Sequence, residues 1–130
     1  MIRIAVVHEE DGLRKKLRAL ISAIPDMEIV GEGRVALDAI DLAWKVKPNV
    51  LLLSTKTIPG RMDSFVAAGR IHEESPDVNI ILLGEEEIDI GRCLDIGVKG
   101  YIPTDCSGDG FLNRIRCVVK RYEYFFVSVR

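Results

Sequence analysis

The first residues of this chain that could do chemistry are a histidine and a run of acids near the N-terminus. His8 is followed by Glu9, Glu10 and Asp11, and an imidazole beside carboxylates is a ligand set that transition metals accept. The three carboxylates are consecutive, so the end of a strand would point them in different directions. We therefore expect His8 to lie at a solvated loop end, and we predict no metal site here.

Two hydroxyl residues, Ser54 and Thr55, follow the apolar run Val50 to Leu53. They would serve either as acceptors for a Ser/Thr kinase or simply as small polar residues that close a buried strand, and we expect the second. A third feature is the acidic run from Glu85 to Glu87, which we expect to form the first turn of a helix, where the helix dipole favours negative charge. His72 is predicted to be a surface residue.

The three cysteines offer little chemistry. Cys93, Cys106 and Cys117 are an odd number, and no two of them have a metal-ligand spacing, so we expect neither a zinc site nor a secreted disulfide framework. None has a histidine close in sequence that would activate a nucleophile. We expect small core residues, with Cys106 alone in a loop.

The polar groups stand at the ends of short apolar blocks that predict five strands. Several blocks are apolar without alternation, which is typical of strands covered on both faces by helices in a parallel sheet. The predicted strands are Ile2 to Val7, Met27 to Val30, Val50 to Leu53, Val78 to Leu83 and Val98 to Ile102.

Apolar residues at helical spacing lie between the predicted strands. Asp11 is expected to cap the first helix, Asp63 or Ser64 the third, and Ser107 the fifth. The fourth helix, Ile88 to Ile96, has the weakest pattern and contains a glycine. Five alternating strands and helices predict an α/β fold of the flavodoxin-like type, a doubly wound five-stranded parallel sheet in a three-layer sandwich. In such folds, ligands and chemistry gather at the carboxyl ends of the strands.

Composition limits the class of protein. The 130 residues are 48% apolar and 29% charged, with 18 Lys+Arg against 20 Asp+Glu, which describes one globular domain with no general attraction to nucleic acid or to acidic membranes. The apolar N-terminal run is too short for a signal peptide, and no stretch is long enough to span a bilayer. We therefore predict a reduced, cytoplasmic protein without a membrane partner.

Several short motifs occur in one order along the chain. This order and spacing resemble the receiver domain of two-component response regulators, most closely the subfamily in which the receiver precedes a helix-turn-helix output domain. The resemblance covers 1–121 and leaves 122–130 as a C-terminal aromatic extension or the start of a linker. The motifs are Ile2 to Val7, Leu17 to Leu20, Val30 to Glu32, Lys47 to Val50, Pro59-Gly60 and Gly97 to Tyr101.

The resemblance implies a CheY-like sheet with strand order 2-1-3-4-5, and a defined chemistry. In this family a histidine kinase supplies a phosphoryl group to an aspartate at the end of the third strand. An acidic pair after the first strand and the acceptor aspartate hold Mg²⁺, which prefers oxygen ligands. A Thr or Ser after the fourth strand and a Lys after the fifth then bind the phosphoryl oxygens.

The positions that match the Mg²⁺ ligands and the acceptor are changed in this sequence. The acidic pair falls on His8 and Glu9, and only Glu9 keeps a carboxylate. The acceptor falls on Ser54 or on Thr55, depending on whether it is counted from the strand or from the following Pro-Gly, and neither residue is an acid. A hydroxyl is neutral at pH 7 and does not hold Mg²⁺ as a charged ligand, so we expect Mg²⁺ binding to be weak or lost and predict no cofactor.

The phosphoryl-binding positions are changed as well. Gly84 stands where the family has Thr or Ser, and Thr104 stands where it has Lys. The resemblance therefore implies a degenerate receiver, a pseudo-receiver that is not an enzyme and is not phosphorylated on aspartate. The alternatives are a receiver that uses Ser54, Thr55 or Glu9 as acceptor, and a small ligand-binding or flavin module. The flavin alternative lacks a glycine-rich phosphate loop.

Signalling by such a module would depend on protein contacts. Tyr101 stands at the position of the family's switch aromatic, where it either packs inward or contributes to a partner surface. The tail carries Tyr122, Tyr124, Phe125 and Phe126, and apolar residues left bare there would mark an interface. We expect homodimerisation or docking to an output domain that controls transcription, with DNA contacted only through an output domain outside this sequence.

Overall fold

Five strands alternate with five helices along the chain. A computed structural model describes residues 1–56, 58–85 and 87–120. The strands are β1 (Ile2–Val7), β2 (Met27–Gly33), β3 (Val50–Ser54), β4 (Asn79–Gly84) and β5 (Gly100–Pro103), and the helices are α1 (Asp11–Ser22), α2 (Ala36–Lys45), α3 (Ser64–Glu74), α4 (Ile90–Asp95) and α5 (Gly108–Val119). All five predicted strands are confirmed, although β2 runs three residues further than predicted.

The strands form one parallel sheet in the order β2-β1-β3-β4-β5. This confirms the predicted fold class and strand order. β3 lies at the centre of the sheet, and all five of its residues are buried. Val7 pairs with Leu53, Ser54 with Leu83, and Gly84 with Pro103, so the carboxyl ends of four neighbouring strands meet at one edge.

Alternate residues of the sheet enter two separate cores. Leu51 and Leu53 belong to the core under α2, α3 and α4. Val50 and Leu52 face the opposite core, which is closed by α1 and α5. This period of two along β3 explains why its sequence is apolar throughout: both faces of the strand are covered by helices.

Two of the predicted helix caps are confirmed. The Asp63 carboxylate accepts a hydrogen bond from Phe65 N at 2.6 Å, and Ser107 Oγ accepts one from Gly110 N at 3.1 Å. The prediction for Asp11 is wrong, because Asp11 is the first residue of α1 and the preceding Glu10 makes no side-chain cap. Asp11 forms an ion pair with Arg14 instead.

The acidic run before α4 also differs from the prediction. Glu85 does not lie in a helical turn, since α4 begins only at Ile90. The cap is Asp89, whose carboxylate accepts a hydrogen bond from Arg92 N at 3.0 Å. A direct side-chain cap selects the start of a short helix more strongly than a favourable dipole interaction does. α4 is therefore shorter than the predicted helix.

Cys93 is buried in the core as predicted, whereas Cys106 and Cys117 are partly exposed. His72 is not the surface residue that the sequence predicted. It is partly buried, and its ring packs against the backbone of Gly97. No helix among the described residues is long and apolar enough to cross a membrane.

Gly97 ends the turn after α4 with a φ of 87°, a left-handed conformation that glycine adopts without steric cost. A Cβ at this position would overlap the ring of His72. The position therefore requires glycine for two independent reasons, backbone conformation and lack of space.

A Gly97→Ala substitution should lower the free energy of unfolding by about 3 kcal/mol, from left-handed strain together with overpacking against His72. Gly60→Ala is the matched control, because Gly60 has a φ of 81° and nothing near its Cβ position. That variant should lose only about 1 kcal/mol. Urea denaturation measures both values, and equal losses would show that the His72 contact contributes nothing.

Candidate functional site

The carboxyl ends of β1, β3, β4 and β5 open onto one cavity of about 320 Å³. The structure brings all six residues of the predicted phosphorylation pocket to its walls: His8, Glu9, Ser54, Thr55, Gly84 and Thr104. It adds Glu10, Leu13, Lys56 and Glu85, to which the sequence analysis gave no role in the pocket. The strand-end rule of doubly wound folds would have found these residues, because each follows a strand or begins the next helix.

His8 is buried, with 3% of its surface exposed, so the prediction of a solvated loop end is wrong. Its backbone N–H donates to Gly33 O at 3.1 Å, and its carbonyl accepts from Arg14 Nη1 at 2.7 Å. Its Nδ1 accepts a hydrogen bond from Glu10 N at 3.1 Å. A ring nitrogen that accepts carries no proton, so the neutral ring has its proton on Nε2.

Burial lowers the pKa of His8, and the positive charges of Lys56 and Arg14 act in the same direction. The carboxylates of Glu9 and Glu10 oppose this shift by favouring the protonated imidazolium, but burial is the largest influence on the pKa. The ring is therefore a neutral group that extends from the end of β1 into the cavity wall.

Glu9 carries the carboxylate that the family pattern retains. Its Oε1 lies 3.6 Å from His8 Nδ1, and its Oε2 lies 3.8 Å from Lys56 Nζ. Oε2 is shielded from solvent and makes no hydrogen bond within the described part of the chain. An ionised oxygen in that situation is costly unless a cation lies near it.

Of the three carboxylates that the sequence analysis expected to diverge, Glu9 and Glu10 lie close together beside His8, whereas Asp11 is paired with Arg14. His8, Glu9 and Glu10 each offer one possible metal-ligand atom, and these atoms lie within 4.8 Å of one another. The His8 nitrogen nearest to Glu9 already accepts the hydrogen bond from Glu10 N, so a metal at that nitrogen would have to displace this bond.

The two hydroxyl residues line the cavity differently. Ser54 is buried, its Oγ accepts from Lys56 N at 3.1 Å, and its carbonyl accepts from Ser64 Oγ at 2.5 Å. Thr55 N donates to Leu83 O at 2.8 Å, and the Thr55 hydroxyl lies over the Cα of Gly84. Neither of the two positions supplies a carboxylate.

Tyr101 packs inward, with 6% of its surface exposed, so the packing interpretation is the one that the structure shows. Its hydroxyl lies 2.9 Å from the place where a Cβ on Gly84 would stand. Tyr101 and Thr55 thus fill the space that the missing side chain of Gly84 leaves. A contact between the Tyr101 ring and a partner would require the ring to leave this position.

The charge of the cavity walls is predominantly negative. Glu9, Glu10 and Glu85 face a single ammonium group, that of Lys56, among the described lining residues. Thr104 stands at the end of β5, where its backbone N–H donates to Gly84 O at 3.0 Å, and its side chain brings no charge. This negative lining disfavours phosphoryl oxygens in the cavity.

Curated proteins similar to this chain in sequence are response regulators. The response regulator VraR of Staphylococcus saprophyticus is 27% identical over 130 residues, which is 98% of this chain and 61% of that protein. VraR of Staphylococcus epidermidis is 29% identical over 124 residues, 94% of this chain and 57% of that protein. The chain thus spans about three fifths of the length of these curated relatives. No family model matches the chain.

Solved structures of response regulators have the same fold as this chain. A LuxR-family response regulator from Aurantimonas superimposes with a TM-score of 0.84 at 19% identity, over 95% of this chain and 88% of the other. The chain has the fold of a response-regulator receiver domain. A LuxR-family DNA-binding response regulator from Staphylococcus aureus gives a TM-score of 0.81 at 19% identity, over 92% of this chain and 99% of that chain.

The isolated receiver domain of RcsB from Salmonella enterica, solved with the phosphomimetic BeF3⁻, gives a TM-score of 0.83 at 15% identity over 97% of this chain and 94% of that one. Homologues that are response regulators and neighbours that are receivers confirm the predicted resemblance, and they support a receiver domain of two-component signalling. The predicted tail residues Tyr122, Tyr124, Phe125 and Phe126 lie outside the described residues.

His8 should titrate below its ordinary value of 6.5, because burial disfavours the imidazolium. The unfolded chain then binds the proton more tightly, so the free energy of unfolding should fall as the pH drops from about 7 to about 5. NMR titration of the ring and urea denaturation across this range, both with EDTA present, measure the two effects. His8→Asn keeps an acceptor for Glu10 N and should remove this part of the pH dependence; an unchanged slope would contradict the assignment.

Gly84→Ala should lower the free energy of unfolding by about 2 kcal/mol, since the new Cβ overlaps the hydroxyls of Thr55 and Tyr101. Gly69→Ala in α3 is the control, because its nearest neighbours lie at an ordinary 3.8 Å. In denaturation experiments on a Thr55→Ala background, Gly84→Ala should lower the free energy of unfolding by less than it does in the wild type, as expected for two residues in contact. Additive losses would mean that Thr55 is not the side chain that is displaced.

Proposed function

We propose that this receiver domain transmits a signal through protein contacts without phosphorylation of an aspartate. The observation that carries the proposal is the pair of hydroxyl residues, Ser54 and Thr55, at both possible acceptor positions of the cavity. An aspartate carries a negative charge at pH 7 that both holds a metal and attacks the phosphoryl donor. A serine or threonine hydroxyl is neutral and needs an adjacent base to become a nucleophile.

The donor set at the end of β1 also argues against Mg²⁺ chemistry. Mg²⁺ takes oxygen ligands in near-octahedral geometry, whereas His8 presents a neutral imidazole in place of a carboxylate. Glu9 is the remaining acid at the family's metal positions, and its buried oxygen lies beside the Lys56 ammonium. These residues fit Mg²⁺ poorly, so the proposed function does not involve a bound Mg²⁺ ion.

Retention of a phosphoryl group would be unfavourable for the same electrostatic reason. Gly84 has no hydroxyl to donate to its oxygens, and Thr104 has no charge to balance them. The acidic side chains of Glu9, Glu10 and Glu85 line the same cavity, and like charges in a partly enclosed space repel. We therefore place this domain outside the enzymes, as a regulatory module.

Partner contacts are supported by the outer surface of the helices. Apart from Met1, the large apolar side chains that are exposed in the described part of the chain all lie on α2, α3 and α4, and none on α1 or α5. Trp44 is 66% exposed and follows Leu37 by two helical turns of α2. Exposed apolar side chains grouped on one layer are typical of an interaction surface. The others are Val66, Ile90 and Leu94.

The relatives suggest what the partner surface serves. VraR is a response regulator longer than this chain, and one structural neighbour is a DNA-binding response regulator. By analogy we propose that this cytoplasmic receiver controls a transcriptional output, as a homodimer or by docking to an output domain, and that DNA is contacted only through that output domain.

Incubation with acetyl phosphate and Mg²⁺ should leave the intact mass unchanged, because neither acceptor position carries a carboxylate. BeF3⁻ should leave the amide NMR spectrum unshifted. The RcsB receiver, which was solved with BeF3⁻, is the positive control for the reagent.

A gain of one phosphoryl group would favour the second candidate, a receiver that uses Ser54, Thr55 or Glu9 as acceptor. Ser54→Ala, Thr55→Ala and Glu9→Gln would then identify which side chain carries the group. The third candidate, a flavin module, predicts a coloured preparation, and a colourless one contradicts it.

A further inference from the structure

Lys56 is the one cationic side chain that the cavity walls offer within the described residues, and the family pattern assigns no role to it at this position. We propose that its ammonium group is a built-in cation, which occupies the place beside Glu9 that a divalent metal ion would take and thereby excludes such ions from the cavity. This inference rests on the proposed function, since it explains how the pocket is kept free of metal.

Lys56 lies at the end of β3 with its ammonium group beside the Glu9 carboxylate. It follows Ser54 and Thr55 directly, and its backbone N–H donates to Ser54 Oγ at 3.1 Å. Its Nζ lies 3.8 Å from Glu9 Oε2. That oxygen is the buried one that lacks a hydrogen bond in the described structure.

Among the described residues, Lys56 is the one Lys or Arg side chain within ion-pair distance of Glu9. Arg14 donates to the His8 carbonyl at 2.7 Å and forms ion pairs with Asp11 and Glu32. Arg34 and Arg61 line a neighbouring pocket that Glu9 also lines, and Arg34 is paired there with Asp11. Removal of the Lys56 charge would leave the Glu9 carboxylate buried and uncompensated, a condition that proteins relieve by binding a proton or a metal ion.

The effect of Lys56 on a metal ion is electrostatic competition. A divalent ion bound to Glu9 would lie within a few ångströms of the ammonium, and the repulsion at such a distance is large in a partly enclosed site. Lys56 is 62% exposed, so it can move into solvent when an ion enters. The ion must then displace the ammonium group from Glu9, and this displacement reduces its net binding free energy. Neutralising Lys56 should therefore raise divalent-ion affinity at least about tenfold.

The test titrates Mn²⁺ at constant ionic strength and follows the EPR signal of the free ion, with calorimetric titration of Mg²⁺ as a second measurement. Lys56→Gln removes the charge and keeps a polar chain, and it should bind Mn²⁺ at least about tenfold more tightly than the wild type. Lys56→Arg keeps the charge and should stay as weak as the wild type. Lys45→Gln, at the end of α2 and outside the cavity walls, controls for the change in net charge and should have no effect.

A double variant tests whether the additional Mn²⁺ affinity arises at Glu9. Adding Glu9→Gln to Lys56→Gln should abolish the increase, because the carboxylate that the metal takes over is then gone. If Lys56→Gln binds no more tightly than the wild type, if Lys56→Arg gains equally, or if the double variant keeps the gain, the proposal is overturned.

These outcomes are separable from the proposed function. Phosphorylation of the wild type by acetyl phosphate would refute a phosphorylation-independent module whatever the Mn²⁺ titration shows. Conversely, an unchanged Mn²⁺ affinity in Lys56→Gln would show that Lys56 does not exclude metal ions. The proposed function would then still rest on the lack of a carboxylate at the acceptor positions.

Discussion

The burial of β3 on both faces is the constraint on which the rest of this structure depends. Its five residues are covered by one helical layer on each side, which requires parallel neighbours and helical crossovers. Parallel strands end at the same edge, so the residues that follow β1, β3, β4 and β5 converge without needing contacts among themselves to bring them together. The position of the cavity is therefore a consequence of the apolar sequence of the strands, and only its chemistry belongs to the residues at the strand ends.

That chemistry is governed by the balance of charge at the end of β1. His8 is kept neutral by burial and by the hydrogen bond that its Nδ1 accepts from Glu10 N. One carboxylate oxygen of Glu9 is shielded from water, and the Lys56 ammonium lies 3.8 Å from it. A neutral imidazole, a carboxylate beside an ammonium group and two hydroxyls therefore line the cavity at the positions that match the family's Mg²⁺ ligands and acceptor aspartate.

The fold could be read from the sequence because its signals are long and redundant. Val50 to Leu53 and Ile80 to Leu83 are apolar without alternation, and such runs admit few interpretations once helical periods lie between them. Placement of the pocket residues at one edge follows from the strand-end rule alone. The starts of α1 and α4 were less predictable, because Asp11 and Glu85 lie near helix starts but do not provide the cap. At α4 that hydrogen bond comes from Asp89.

Side-chain environments were the part that the sequence could not supply. His8 looks like a loop residue in the sequence, and it is buried because Arg14, six positions later, binds its carbonyl and Glu10 N–H binds its ring. Neither contact has a sequence signature, since both depend on the angle at which α1 leaves β1. Lys56 was visible as a strand-end residue, but its relation to Glu9 joins two different strands and becomes apparent only when the register of β1 against β3 is known.

The separation between core and pocket allows the pocket residues to differ from the family pattern while the fold of a receiver domain is kept. The largest fully buried side chains belong to the strands and to the inner faces of the helices, and the six positions that match the family's phosphorylation residues are not among them. Substitutions at these six positions change the packing of the core little, provided that each leaves no uncompensated charge and no steric overlap. Gly84 satisfies the second condition by making room for Tyr101 and Thr55, and Lys56 satisfies the first by facing Glu9. The changes in the pocket are therefore coupled in pairs, so restoring one family residue alone, such as a hydroxyl side chain at Gly84, would disturb its partner before it restored any function.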